Sequence, residues 1–313
     1  MQVHFDINRL PIFRNAVITV GAFDGVHTGH RKIIEQLKAC AATVGGESVI
    51  ITFHPHPRTV VKSDSGLQML TSFSEKLYHL ELSGVDHLVV IPFTETFASQ
   101  SAENYVRDFL VAKFHPHSIV IGYDHRFGKG REGDYKLLEK LGKIYGYEVR
   151  EIPEQVLNEI TVSSTKIRKA LIDGDIDTAN ACLGYEFGLT GKVIMGNQLG
   201  RTLGYPTANL EPIDPEKLVP GNGVYAVKVT IVEGTNSTVT LNGMMNIGKR
   251  PTIDGTNRVI EVNIFDFSGD LYGKNLVVTF RKRLRDEVKF SGLDALKEQL
   301  LRDRVAALEA LTS

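Results

Sequence analysis

Short, wholly apolar segments alternate with longer amphipathic ones along the first half of the chain. Residues 16–20 predict a buried strand that ends at Gly21, and residues 31–44 carry apolar side chains at the spacing of a helix. The same pattern predicts further strands at 48–53, 87–91, 118–121 and 148–152, and further helices at 74–82 (capped by Ser74), 102–113 and 135–145. Strands that are apolar on both faces and separated by helices indicate a parallel sheet covered on both sides.

The second part of the chain has a different residue pattern, in which β-rich runs are separated by glycine and asparagine. These runs predict strands at 191–195, 224–232, 238–241, 258–267 and 276–280. Such short strands with frequent turn signals are typical of a small barrel or sandwich. A closing helix is predicted from Ser291, which resembles a capping box with Asp294. We place a domain boundary near Gly184, giving domains of residues 1–184 and 185–313.

Composition argues against three classes of protein: nucleic-acid-binding, membrane and disulfide-rich secreted proteins. The 313 residues are 42% hydrophobic and 23% charged with a formal net charge of -1, so no general field attracts the chain to nucleic acid or to a membrane. Cys40 and Cys182 form no CxxC pair, which argues against a disulfide framework and fits a reducing compartment. The sequence has neither an apolar run of about 18 residues nor a signal-peptide pattern. We therefore expect a cytoplasmic protein with no membrane or nucleic-acid partner.

Two histidines follow the first predicted strand, in the segment Gly-Ala-Phe-Asp-Gly-Val-His-Thr-Gly-His at 21–30. His27 and His30 are three residues apart, so on the first turn of a helix they share a face. The free amide donors and positive potential of a helix N-terminus suit phosphate, and two imidazoles could stabilise charge developing on phosphorus. A simple capping role is one alternative, and a zinc site that adds His54 and His56 is another.

A second polar segment stands before the helical run that begins near residue 164. Ser163, Ser164 and Thr165 offer hydroxyl and amide donors together, and Arg168 adds a permanent charge with a planar donor fork. Without the upstream histidines, a plain helix cap would explain this segment equally well.

The two segments resemble the HxGH and ISSTxxR signatures of the nucleotidyltransferase superfamily. With Phe23-Asp24-Gly25 and the Phe-His-Pro-His-Pro run at 53–57, the likeness narrows to the bacterial bifunctional riboflavin kinase/FMN adenylyltransferases and covers nearly the whole chain. The resemblance implies that FMN phosphate attacks the α-phosphorus of ATP and expels pyrophosphate, by positioning and electrostatics alone. It implies that the ATP phosphates are bound by Gly21, Phe23, His27, His30, Ser163, Ser164, Thr165 and Arg168, with the two histidines also stabilising the transition state.

The glycine-rich loop after the strand at 118–121 contains two further candidates. By the same resemblance Asp124 and Phe127 bind the flavin, although a solvated loop acid is the alternative for Asp124. The run at 128–133 satisfies GxGxxG, but it does not open a helix directly after its strand. We therefore do not expect a dinucleotide site there.

The segment Gly-Arg-Thr-Leu-Gly-Tyr-Pro-Thr-Ala-Asn at 200–209 resembles the GRxLGxPTAN motif of riboflavin kinases. Pro206 favours an extended backbone, in which Thr207 and Asn209 point the same way and present oxygens suited to magnesium. A glycine–proline turn that leads into a strand is the alternative. The resemblance implies that Thr207 and Asn209 coordinate the magnesium of MgATP, with Gly196, Arg201 and Gly204 beside the phosphates.

Alternation at 259–265 places Glu261 and Asn263 on one face of a strand. Glu261 is a candidate base for the 5'-hydroxyl of riboflavin as that oxygen attacks the γ-phosphorus, and an exposed surface glutamate is the alternative. Many members of the riboflavin kinase family that this segment resembles carry histidine where this chain has Asn263. The nearby run at 243–250 approaches a P-loop but ends in Arg250 instead of Ser or Thr, which argues against it.

Together these features predict an α/β Rossmann-like nucleotidyltransferase domain followed by a mainly antiparallel β-barrel riboflavin kinase domain with a C-terminal helix. We expect riboflavin, FMN, FAD and ATP as substrates or products, magnesium as cofactor, and a monomer or weak homo-oligomer. The rival hypotheses are an enzyme with only one working site and a sensor that binds flavin without turnover.

Overall fold

The computed structural model describes residues 1–61, 66–152, 162–196, 200, 204–233, 237–252 and 255–312. Its contacts divide the chain into two compact units, Met1–Ser164 and Thr165–Ser313. The boundary near Gly184 rests on the change from helical periodicity to β-rich runs in the sequence, and it stays a prediction.

The first unit is built on one parallel sheet of six strands. The strands are β1 (Gln2–His4), β2 (Val17–Val20), β3 (Ser48–His54), β4 (His87–Pro92), β5 (Ser118–Gly122) and β6 (Glu148–Ile152). Their order is β1-β4-β3-β2-β5-β6, and every neighbouring pair is parallel. The predicted Rossmann-like sheet is confirmed, with β1 as an additional edge strand.

Helices cover both faces of this sheet. They are α1 (Thr28–Thr43), α2 (Pro57–Val61), α3 (Phe73–Leu82), α4 (Glu95–Ala98), α5 (Ala102–Asn104), α6 (Ala112–Phe114) and α7 (Tyr135–Tyr145), and a π-helical segment at Tyr105–Val111 joins α5 to α6. Successive strand residues belong to opposite cores, since Ile18 packs in one cluster and Val17 in the other. This two-sided burial explains why the strands are apolar throughout.

The cap of α3 differs from the prediction, because Ser72 occupies the N-cap position and Ser74 does not. The Ser72 hydroxyl accepts from the Glu75 amide at 3.2 Å, and the Glu75 carboxylate accepts from the Ser72 amide at 2.9 Å. This reciprocal capping box satisfies two helix-end donors. The helix consequently begins one residue earlier, at Phe73.

The second unit is a six-stranded barrel with flanking helices. Its elements are α8 (Ser164–Asp173, whose first residue is the last of the first unit), α9 (Ile176–Leu183), β7 (Gly188–Ile194), β8 (Ala208–Pro212), β9 (Gly223–Glu233), β10 (Ser237–Thr252), β11 (Gly255–Ile264), β12 (Asn275–Arg285) and α10 (Leu293–Thr312). The strands close in the order β10-β11-β8-β7-β12-β9 with antiparallel neighbours. The predicted barrel and terminal helix are confirmed.

Two details of this unit differ from the sequence-based expectation. The amide of Leu296 bonds to the carbonyl of Gly292, so Gly292 holds the N-cap position of α10 and the proposed capping box at Ser291 is wrong. The P-loop look-alike at 243–250 lies inside β10, in extended backbone that does not form a phosphate cradle. Among the helices described, none is both long and apolar enough to cross a bilayer.

Candidate active sites

The two predicted histidines meet at the start of α1, directly after β2. His27 is the N-cap residue of α1, and its Nδ1 accepts a hydrogen bond from the backbone amide of His30 at 3.3 Å. The two imidazole rings are stacked, with centroids 3.7 Å apart. The local fold therefore produces the shared face that the three-residue spacing predicted.

His30 is the more isolated of the two rings. Its Nδ1 is buried and has no hydrogen-bond partner among the described residues, and the ring of Phe23 lies 5.0 Å away between centroids. Burial, and then the positive charges of His27 and Lys76, hold the pKa of His30 well below its usual value. His30 is thus a neutral imidazole at pH 7, and its buried Nδ1 makes no hydrogen bond among the described residues.

The loop at 21–27, which joins β2 to α1 and is called the histidine loop below, has a strained backbone. Phe23 and Val26 have positive φ angles of 50° and 36°, a conformation that is uncommon for residues other than glycine. The Asp24 carboxylate holds the loop by accepting from the amides of Leu70 at 3.0 Å and Thr71 at 3.2 Å. Sequence reasoning missed this anchoring role of Asp24, since its partners lie more than forty residues away in sequence.

The serine segment is attached to the same loop. The hydroxyl of Ser164, the first residue of α8, donates to the backbone carbonyl of Asp24 at 3.1 Å. Ser163 and Thr165 are exposed, whereas Arg168 is buried one turn further along α8. The structure therefore brings Ser164 to the histidine loop, as the paired motifs predicted, and the roles of the other three residues stay predictions.

A cavity of about 470 Å³ in the first unit gathers three of the other predicted residues, Gly21, Asp124 and Phe127. Its volume lies in the range of pockets for small organic ligands. Sequence reasoning missed its aromatic wall, which is formed by Phe53, Phe93, Phe97 and Tyr105, and its cationic side chains, which include Arg58, Arg126 and Arg131. Of the described residues, those that line the cavity do not include His27 or His30.

The kinase candidates meet at a cavity of about 270 Å³ in the second unit. Thr207, Glu261 and Asn263 line it together with residues of α10, which include Leu296 and Asp303. A second cavity of about 570 Å³ is lined by Thr207 and by Val262 and Ile264, which belong to the opposite face of β11. Thr207 thus borders both cavities.

Asn209 lies on β8 directly opposite Glu261 on β11, and its side chain is buried. Gly196 packs so closely against it that a Cβ added there would collide with the Asn209 amide nitrogen. Gly204 adopts a φ of 81°, while Arg201 lies outside the described residues.

Asn263 has a structural role that the sequence did not reveal. Its buried side-chain amide donates to the backbone carbonyl of Pro206 at 2.7 Å. That carbonyl immediately precedes Thr207, so Asn263 fixes the segment that presents the predicted magnesium ligands. Only the shared strand face of Glu261 and Asn263 could have indicated this contact in advance.

Comparisons with known proteins match the two halves of the chain to two enzyme families. Residues 10–166 match the family model described as FAD synthetase, and residues 183–311 match the one described as riboflavin kinase. The bifunctional riboflavin kinase/FMN adenylyltransferase of Escherichia coli (strain K12) is 38% identical over 293 residues, covering 94% of this chain and 92% of that protein. Its counterpart in Bacillus subtilis (strain 168) is 36% identical, covering 94% and 92%.

A solved structure shares the whole architecture. The crystal structure described as a macrolide-efflux protein from Streptococcus pneumoniae is 30% identical, covers 97% of both chains and has a TM-score of 0.84. Both halves of the chain therefore match known families in the order that the sequence motifs predicted. The chain belongs to the bifunctional riboflavin kinase/FMN adenylyltransferase family, and it phosphorylates riboflavin to FMN and adenylylates FMN to FAD.

Proposed function

We propose that the two reactions take place at two separate sites, adenylyl transfer at the histidine loop and phosphoryl transfer at the Thr207–Glu261 cavity. The observation that carries this proposal is that His27 and His30 stack on each other in the first unit, whereas Thr207 and Glu261 line one cavity in the second. Each set of side chains suits the reaction assigned to it, as the following paragraphs argue.

At the histidine loop, the neutral His30 ring and the first amides of α1 hold the phosphates of ATP. An oxygen of FMN phosphate attacks the α-phosphorus and pyrophosphate leaves, so the enzyme stabilises charge and forms no covalent intermediate. Gly21, Phe23, Ser163, Ser164, Thr165 and Arg168 complete the proposed phosphate-binding set. Asp124 and Phe127 hold the flavin in the 470 Å³ cavity, whose aromatic wall suits a planar ring system.

At the kinase cavity, Glu261 accepts the proton of the 5'-hydroxyl of riboflavin as that oxygen attacks the γ-phosphorus and ADP leaves. Arg201, Gly196 and Gly204 are assigned to the phosphate side. Asn263 positions Thr207 through the carbonyl of Pro206.

The donor chemistry of this cavity fits magnesium. Thr207 offers a hydroxyl oxygen and Asn209 an amide oxygen, and ATP phosphates supply the remaining hard ligands that this ion prefers. When bound, magnesium neutralises phosphate charge during transfer. The close packing of Gly196 against Asn209 restricts where that amide can lie.

We further propose that the protein works in the cytoplasm as a monomer or weak homo-oligomer, with small molecules as its partners and without nucleic acid. Two buried free cysteines support a reducing compartment, and the near-zero net charge supports the absence of a nucleic-acid partner.

Reciprocal variants test the two assignments within one chain. His27→Ala should abolish FAD formation from FMN and ATP while leaving riboflavin phosphorylation within about twofold of wild type, and Glu261→Gln should do the reverse. The retained activity of each variant serves as its folding control. A folded variant that loses both activities would show that the sites do not act separately.

A further inference from the structure

Lys76 is a buried cation to which none of the sequence motifs assigns a role. It lies on α3 with 7% of its surface exposed, and its Nζ donates to the carbonyls of Ala22 and Phe53, each at 3.3 Å. Ala22 follows β2 and Phe53 lies near the end of β3, so one ammonium group joins the carboxyl ends of two neighbouring strands. This is the sheet edge from which the histidine loop emerges.

Keeping an ammonium group at this position is costly. Burial lowers the pKa of Lys76 to about 8, and the negative charge of Asp24 partly opposes that shift. Two long carbonyl contacts and a Phe73 ring 5.6 Å from Nζ offset only part of the lost hydration. A methionine of similar length would fill the same space without this cost, which indicates that the charge itself is used.

The charge of Lys76 acts on the histidine loop through a direct contact with the carbonyl of Ala22. Asp24, whose carboxylate is bonded to the amides of Leu70 and Thr71, is the acidic group that faces it. Lys76 also affects His30, which lies in the first turn of α1 and whose charged neighbours are His27 and Lys76. Lys76 thus interacts electrostatically both with the carboxylate that anchors the loop and with the buried imidazole of His30.

We propose that Lys76 is a positioning residue for adenylyl transfer. Its ammonium group ties the ends of β2 and β3 together where the histidine loop emerges, and it adds a positive charge to the surroundings of His30. A neutral imidazole can donate one hydrogen bond to a phosphate oxygen, and its burial costs less free energy than burial of the charged imidazolium. This inference rests on the proposed role of His27 and His30 in binding ATP phosphates.

The test compares Lys76→Met, Lys76→Arg and Lys38→Met in the full-length protein. Lys38 is a matched control, because its Nζ also donates to a backbone carbonyl, that of Ser83 at 2.8 Å, but at an exposed position. For each variant the kcat and KM for ATP of FMN adenylylation are measured, with riboflavin phosphorylation by the same chain as the control for intact protein. The imidazole of His30 is titrated by NMR and assigned with a His30→Asn variant.

Lys76→Met should lower the kcat of adenylylation by about tenfold or more with a smaller change in KM, since a displaced loop misaligns the reacting groups. The pKa of His30 should rise but stay below its ordinary value, because the charge of Lys76 is gone while burial and the charge of His27 still lower it. Lys76→Arg should lower kcat but leave the titration of His30 in its wild-type position, and Lys38→Met should change neither. A purely structural role would reduce activity without moving that titration.

Two results separate the failure of this inference from the failure of the site assignment. If Lys76→Met keeps wild-type kcat and His30 titration while His30→Asn loses adenylylation, the role of Lys76 is refuted and the site stands. If His30→Asn itself retains adenylylation, the assignment of the histidine loop is refuted, and the role of Lys76 with it. Should Lys76→Met not fold, a Lys76→Arg protein in which His30 titrates at higher pH would equally overturn the proposal.

Discussion

Replacing Asp303 by alanine should weaken the attachment of the C-terminal helix to the barrel. Asp303 lies on α10 with 3% of its surface exposed, and its carboxylate accepts from Arg285 Nε at 2.9 Å and Nη2 at 2.7 Å. Gln299 donates a third hydrogen bond at 2.9 Å. Alanine would leave the Arg285 guanidinium half-buried beside the kinase cavity without its counter-ion.

The size of the effect follows from this burial. Removing one partner of a buried ion pair costs about 3–5 kcal/mol, and the lower end applies because Arg285 keeps some contact with water. In a unit of this size 1 kcal/mol shifts Tm by roughly 2–4 °C, so we expect a decrease of about 10 °C. Glu298→Ala is the matched control on the same helix, because its ion pair with Arg302 is exposed and should contribute less than about 1 kcal/mol.

Heat inactivation measures this loss for each activity separately. The protein is incubated at graded temperatures, and residual riboflavin phosphorylation and FMN adenylylation are each normalised to the unheated sample. Normalisation matters because Asp303 lines the kinase cavity and its loss can also change kinetic constants. The midpoint for kinase activity should fall by about 10 °C in Asp303→Ala. A decrease no larger than that of Glu298→Ala would refute the reasoning.

Three further predictions concern single residues. Burial lowers the pKa of His125 to about 4, so as pH falls from 6.5 to 4 the unfolded chain binds a proton at this residue before the folded chain does, and the free energy of unfolding decreases. In urea titrations, His125→Gln should reduce this decrease by about 2 kcal/mol. Gly196→Ala should displace the Asn209 amide and raise the magnesium concentration needed for half-maximal kinase activity, whereas Gly292→Ala, which meets open space, should not. Asn263→Leu removes the 2.7 Å hydrogen bond to the carbonyl of Pro206, which precedes Thr207. It should reduce kinase kcat/KM for MgATP by about tenfold and leave adenylylation unchanged.

Hydrophobic periodicity was sufficient to predict most of the first unit, because each buried strand is apolar on both faces. The edge strand β1 (Gln2–His4) was missed because none of its residues is fully buried, so it lacks that signal. Strand β8 (Ala208–Pro212) was missed as an element because it is short and contains no β-branched or aromatic residue. The cap of α3 was misplaced by two residues, since Ser72 and Ser74 on either side of Phe73 offer the same capping chemistry.

The contacts within the candidate sites were likewise predictable only in part. Motif spacing brought His27 and His30 together correctly, because their contact is local to one helical turn. The supporting contacts of Asp24, Lys76 and Asn263 were not predictable, because each joins residues far apart in sequence and depends on the packed fold. These supporting residues carry no motif of their own, and only three-dimensional proximity assigns them a role.

Mixing two variants that each lack one of the two activities tests the central claim most directly. With riboflavin and MgATP, His27→Ala alone should stop at FMN, and Glu261→Gln alone should leave riboflavin unchanged. An equimolar mixture of the two should form FAD, detected by chromatography, because FMN made at one intact kinase site reaches the intact adenylylation site of the other chain. A mixture of folded variants that accumulates FMN without FAD, or that leaves riboflavin unchanged, would contradict the assignment of two independent sites.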